Sequence, residues 1–165
     1  MKIAFVDAAT NKMDAFEACA NYCHENLADV EAVHVTTPEL SKLPVGCKKA
    51  FNEGADVVLA FATVSEDEHV LQMVAEKIMQ VELEAVRYVF LVTIFDDEYR
   101  SQEQLAQTSA DKISGALEHI TKTLRGAASI AAPTEEPPVE MPDLGVALST
   151  EQNSPQQPPD MHSLF

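Results

Sequence analysis

A chain of 165 residues and 18.0 kDa has room for one ordinary domain with some chain left over. With 46% hydrophobic residues it can bury a core, yet 11 Lys plus Arg against 27 Asp plus Glu leave a formal charge of -16, which repels nucleic-acid phosphates and anionic lipid. The longest apolar run, Tyr88 to Phe95, is far short of the roughly 20 residues that span a bilayer, and Met1-Lys2-Ile3-Ala4-Phe5-Val6-Asp7 meets an acid too early for a secretory leader, so the expectation is a cytoplasmic enzyme or binding protein with no nucleic-acid or membrane partner.

Lys2 to Val6 reads as a first strand. The loop Asp7-Ala8-Ala9-Thr10-Asn11-Lys12 follows and has no glycine. No G-x-G-x-x-G or G-x-x-x-x-G-K occurs anywhere, so phosphate cradling is not expected. The polar side chains of this loop either hold an uncharged heterocycle or polyol, or form an Asx-type turn that caps the next helix. That helix is predicted over Met13 to Leu27, with Phe16, Ala20 and Cys23 along one face. Cys19, Cys23 and Cys47 are odd in number and form no C-x-x-C, so reduced, buried thiols are expected. Cys19, Cys23 and His24 lack a second ligand cluster, and no metal site is predicted.

Val30 to Thr36 is the second strand, and Thr36-Thr37-Pro38-Glu39 a polar turn. From Glu39 to Asn52, Leu40, Leu43, Cys47 and Phe51 recur at helical spacing; Pro44 and Gly46 predict a short turn first and a helix proper from about Pro44. Ala55 to Ala62 is a nearly continuous apolar strand. Ser65-Glu66-Asp67-Glu68 satisfies S-x-x-E, which makes Ser65 the expected N-cap and puts His69 in the first turns of a helix continuing over Val70 to Leu83. There His69 is either a proton carrier or a surface residue in an acidic turn. His24, His34, His119 and His162 read as structural or solvated.

Arg87 to Phe95 is the fourth strand, again a nearly continuous apolar run of the kind buried on both faces, and Asp96-Asp97-Glu98-Tyr99-Arg100 follows it. Arg100, one of three arginines, either meets an anion or polarised carbonyl or pairs locally with Asp96 or Asp97. Ser101 with Gln104 opens a last helix carrying Leu105, Ile113, Leu117, Ile120 and Leu124. From Gly126 to Phe165 there is no Lys or Arg, but seven of the nine prolines and six acids, which predicts a disordered tail (126–165) behind a domain spanning 1–125. Met161-His162-Ser163-Leu164-Phe165 ends that tail either as a short linear motif or as a frayed end.

Strand and helix in strict alternation imply a parallel sheet covered on both faces, here an α/β flavodoxin-like three-layer sandwich with a four-stranded parallel sheet. Ligands of such folds bind outside the carboxyl ends of the strands. That points to Asp7 to Lys12, Thr36 to Leu40, Thr63 to His69 and Asp96 to Arg100.

Three stretches carry a family resemblance: Phe5-Val6-Asp7-Ala8-Ala9-Thr10-Asn11-Lys12-Met13-Asp14, Thr36 through Lys49, and Ala55-Asp56-Val57-Val58-Leu59-Ala60. With Arg87 through Val92 and Phe95-Asp96-Asp97-Glu98, they resemble the archaeal-type riboflavin synthases, relatives of lumazine synthase, over nearly all of residues 1–124. The resemblance implies a flavodoxin-like subunit in homopentamers with sites between neighbours, using no cofactor. It implies dismutation of two molecules of 6,7-dimethyl-8-ribityllumazine into riboflavin. On this resemblance Asp7, Ala8 and Thr10 line the ring or ribityl site, Thr36, Thr37, Pro38 and Glu39 contact ligand mainly through backbone, and Thr63 joins them. His69 corresponds to the proton-transferring histidine of lumazine synthases, and Arg100 to a basic residue that contacts an anion.

Two departures frame the alternatives. Where lumazine synthases receive a substrate phosphate, this chain has Ser65-Glu66-Asp67, whose charges oppose one; lumazine synthase is therefore the enzymatic alternative and riboflavin synthase the first reading. The His-Glu-Ala-Ser segment of archaeal riboflavin synthases is replaced by Met73-Val74-Ala75-Glu76, which leaves open a non-catalytic flavin-binding or shell-forming member.

Overall fold

The computed structural model describes residues 1–65 and 68–130, with the backbone alone for residues 68 and 125–130. Four strands, β1 (Lys2–Ala8), β2 (Glu31–Thr37), β3 (Val57–Val64) and β4 (Val89–Phe95), form one parallel sheet in the order β2-β1-β3-β4. The centre is taken by β1 and β3, which are buried along nearly their whole length, whereas β2 and β4, at the edges, are less completely buried. The apolar run of β4 does not give the strand buried on both faces that its composition predicts, because β4 has a neighbour on one side only. The helices are α1 (Phe16–Asn26), α2 (Leu43–Asn52), α3 (Glu68–Ala85) and α4 (Gln102–Ile130). Helices α2 and α3 cover one face and α1 and α4 the other, which gives the expected α/β sandwich of a four-stranded parallel sheet between helical layers.

Element ends differ from the sequence reading in ways that move site residues. The β1–β2 ladder continues through Asp7↔Thr36 and Ala8↔Thr37, and the β3–β4 ladder through Thr63↔Ile94 and Val64↔Phe95. Asp7, Ala8, Thr37 and Thr63, expected in loops, therefore close their strands. Helix α1 starts at Phe16, three residues later than the period suggests, with Ala15 at the N-cap and the Phe16 N–H donating to the Asp14 carboxylate at 3.0 Å. Helix α2 follows a 3₁₀ turn over Leu40–Lys42, with Pro44 in its first turn, as the spacing predicts. The β3 ladder stays paired through Val64, the described part of α3 is Glu68–Ala85, and the expected cap turn after Ser65 falls on residues 66 and 67, outside the described residues. At α4, Ser101 Oγ accepts the Gln104 N–H at 3.2 Å, but Gln104 Oε1 reaches back to the Arg100 N–H at 3.0 Å, one residue beyond the expected reciprocal bond.

Helix α4 runs past Arg125 through Gly126 to Ile130. The loss of basic residues after 125 marks a change of charge, while the first residue unable to continue a helix is Pro133. The remainder of the expected tail, including Met161–Phe165, lies outside the described residues.

Tight packing under α2 fixes the level of the β2 end. A Cβ on Gly46 would lie 2.5 Å from Thr37 Cγ2 and 2.7 Å from Val6 Cγ1, so only glycine lets the helix lie this close to the sheet.

Candidate functional site

The chain winds away from β1 in both directions, β2 on one side and β3 on the other, so the loops leaving β1 and β3 diverge at the carboxyl edge. All ten candidate residues lie at this edge. Asp7 and Ala8 end β1, Thr36 and Thr37 end β2, and Thr63 lies next to last in β3. Thr10 follows β1, Pro38 and Glu39 follow β2, His69 lies in the first turn of α3, and Arg100 follows the 3₁₀ turn Asp96–Glu98 after β4.

The loop after β1 is tied across the divergence. Asn11 Nδ2 donates to the Phe61 carbonyl at 3.2 Å, and Asn11 Oδ1 accepts the Thr63 N–H at 3.0 Å, so one amide side chain continues the β3 ladder where β1 has ended. The Lys12 N–H donates to Thr63 Oγ1 at 3.1 Å, and Lys12 Nζ reaches both oxygens of Asp96 at 2.7 and 2.8 Å. Tyr99 donates its hydroxyl to Asp96 Oδ1 at 2.9 Å. Asn11 bonds across the sheet rather than forming a local turn that caps α1. Lys12, then Tyr99, hold the Asp96 carboxyl below its usual range, and Asp96 in turn raises the Lys12 ammonium.

That arrangement decides the local partner of Arg100. Asp96 belongs to Lys12, and the exposed Arg100 side chain makes no ion pair among the described residues. Glu98 pairs with Lys112, which also donates to the Thr93 carbonyl at 3.0 Å, while Glu98 Oε1 accepts the Phe95 N–H at 3.0 Å. Lys112 first, and that backbone bond second, pull the Glu98 carboxyl below its usual range.

On the β2 side the polar groups are partly committed to each other. The buried Thr37 hydroxyl donates to the Asp7 carbonyl at 2.9 Å, and the Glu39 carboxylate accepts from Ser41 at 2.6 Å. A ligand here would therefore meet backbone more than the side chains of Thr37 and Glu39. His69 is exposed and makes no hydrogen bond to a described residue.

The strongest polar contact on this side was invisible in the sequence. Asp7 is 5% exposed, and its Oδ2 lies 3.1 Å from His34 Nε2, with Thr36 Oγ1 3.2 Å from the same nitrogen. Phe16 stacks on the His34 ring at 4.4 Å and 9°, and Phe5 meets it edge-on at 5.9 Å. Asp7 Oδ1 is buried with no hydrogen-bond partner, a deficit that costs on the order of 1–3 kcal/mol. Alternation along β2 puts His34 and Thr36 on one face, but facing Asp7 follows only from the register Phe5↔His34 and Asp7↔Thr36.

The three cysteines are free and buried, as expected. Burial pushes the Cys47 thiol up to about 12; the hydrogen bond shared by Cys19 and Cys23, together with burial, pushes Cys19 up, while the same bond, against burial, draws Cys23 down, so Cys19 and Cys47 are unreactive packing groups. Among the described residues no three His, Cys, Asp or Glu side chains converge on a metal position, and no helix is long and apolar enough to cross a membrane.

No protein-family profile and no curated protein matches the chain. A solved structure described as the solution structure of a phosphate-loop protein is similar at 17% identity and a TM-score of 0.34, over 82% of this chain and 99% of that one. A likeness of that size carries no argument about either fold or function.

Proposed function

We propose that the chain is a riboflavin synthase, dismutating two molecules of 6,7-dimethyl-8-ribityllumazine at a site completed by a neighbouring copy in a pentamer. The observation that carries this reading is the convergence of Asp7, Ala8, Thr10, Thr36, Thr37, Pro38, Glu39, Thr63, His69 and Arg100 at the carboxyl edge of one sheet. Among the described residues five carboxylates stand at that edge, Asp7, Glu39, Asp96, Asp97 and Glu98, against the three cations Lys12, Arg100 and Lys112, and the negative excess favours an uncharged ribityllumazine over the phosphorylated co-substrate of a lumazine synthase. Holding two lumazines against each other supplies rate through proximity. His69, exposed at the start of α3, carries protons, and Arg100, which makes no ion pair among the described residues, polarises a ring carbonyl.

Incubation of the purified protein with dimethylribityllumazine should generate riboflavin fluorescence, and His69→Ala should slow it by roughly 10²-fold without loss of fold. No riboflavin from a folded protein, or an unchanged rate in the variant, overturns the assignment or the role of His69 respectively. Light scattering should show a pentamer. A monomer at micromolar concentration would remove the shared site.

One observation favours a second reading, a flavin-binding or shell-forming protein without catalysis. No described residue orients the His69 ring or fixes its tautomer, which a proton carrier needs. Saturable quenching of lumazine or riboflavin fluorescence without turnover would select it.

A further inference from the structure

We propose that His34 and Asp7 form a carboxylate–imidazole general-base pair, open at His34 Nδ1, that accepts a proton from a neutral small molecule carrying an acidic N–H, O–H or activated C–H. The inference does not depend on the ligand being a lumazine, and it adds a base on β2 to the proton carrier proposed on α3.

The geometry determines the tautomer. Asp7 Oδ2 can only accept at 3.1 Å from His34 Nε2, so Nε2 carries the hydrogen and the Thr36 hydroxyl, at 3.2 Å, is a second acceptor beside it. The lone pair is left on Nδ1, which bonds no described residue, while 29% of the side chain reaches solvent. Phe16, parallel at 4.4 Å, and Phe5, edge-on at 5.9 Å, hold the ring plane, so little reorientation is needed before a proton moves. When a ligand X–H gives its proton to Nδ1, the ligand keeps the electron pair, and the imidazolium sits against the buried Asp7 carboxylate that balances its charge. The proton returns to the product from the same nitrogen.

A second observation supports a working role rather than a packing one. Asp7 Oδ1 is buried without a donor, although its sister oxygen is paired. Half-satisfied buried carboxylates are costly to keep and concentrate at functional sites. This one ends β1 at the loop divergence, beside Thr36 and the phenylalanine platform.

Two measurements on the full chain test the pair. Long-range ¹H–¹⁵N NMR of the histidines should report neutral His34 as the Nε2–H tautomer, and an Nδ1–H tautomer would overturn the proposal. Diethylpyrocarbonate, which acylates unprotonated imidazole nitrogen, should modify His34 in the folded protein. At a pH high enough that the imidazole is neutral in both proteins, that rate should fall roughly tenfold in Asp7→Asn, because acylation at Nδ1 builds positive charge on the ring that only the carboxylate balances. Thr36→Val, which spares the carboxylate, should stay within about twofold of wild type by the same scale. Equal rates in wild type and Asp7→Asn would overturn the pair. Should Asp7→Asn fail to fold, as judged by circular dichroism, the tautomer in the wild-type chain decides alone.

Discussion

The two faces of the sheet are built from the same strands and do different work. Toward α1 and α4, β1 and β3 present Ile3, Phe5, Val57, Leu59 and Phe61; toward α2 and α3 they present Ala4, Val6, Val58, Ala60 and Ala62. Large side chains hold α1 and α4 away and fill the gap with rings, Phe5 lying 5.9 Å from Phe61 and 6.0 Å from Phe16. Small ones let α2 come down until Gly46 meets Val6 and Thr37. The consequence reaches function, because the ring-filled face ends in Phe16, His34 and Asp7, whereas the close-packed face ends in Thr37, whose hydroxyl only braces the backbone. One face supplies a platform for chemistry, and the other fixes its height.

The comparison breaks most visibly where rings fill the gap. Phe61→Ala should cost about 3–5 kcal/mol, because a fully buried ring leaves a cavity between separated layers that cannot collapse. Denaturant unfolding would measure it, and a loss under about 1 kcal/mol would mean that α1 and α4 settle onto the sheet as closely as α2 does.

On the opposite face the sensitive change is an addition. Gly46→Ala places a methyl where 2.5 Å separates it from Thr37 Cγ2, and overpacking of this kind costs roughly 1–3 kcal/mol. Since Thr37 braces the Asp7 carbonyl, the same variant should also disturb the His34 NMR signals. A stability loss with His34 unmoved would show that the faces are energetically separate.

A smaller effect should have the opposite sign. Val86, just past the end of α3, has φ 53° and is 88% exposed, a left-handed conformation that a β-branched residue adopts with strain. Val86→Gly should stabilise by up to about 1 kcal/mol, the roughly 1–2 kcal/mol penalty less the entropy that glycine returns to the unfolded chain. Thermal melting is sufficient to see it.

The smallest effects are ionic, one on each face. Lys48–Glu84 joins α2 to α3, and Lys112–Glu98 ties α4 to the end of β4. Both carboxyls lie below the ordinary 4.5, each held chiefly by its lysine, so the folded state binds protons less readily than the unfolded one. Their stabilisation is complete above that ordinary value and is lost as pH falls through the lower folded values. Glu84→Gln and Glu98→Gln should each flatten the fall in Tm between about pH 5 and about pH 3. A drop as steep as wild type in both would assign acid sensitivity to other carboxylates.

Much of the architecture was legible in the chain itself. The apolar runs of β3 and β4, the period of α3 and α4, and the Pro44 turn before α2 each follow from local chemistry acting within a few residues, though the run of β4 did not reveal that it lies at an edge. Strand ends were not legible, because Asp7, Thr37 and Thr63 are polar and become strand only by pairing with a neighbour.

The site divides along that line. The sequence alone determined which loops carry polar residues, and that no glycine loop exists to cradle a phosphate, since composition and short spacing suffice for both. Tertiary structure alone decided that Asn11 bridges to Thr63, that Lys12 takes Asp96 from Arg100, and that His34 faces Asp7. These partners lie 52, 84 and 27 residues apart in the chain, and what joins them is parallel register and the convergence of strand ends, which no local propensity encodes.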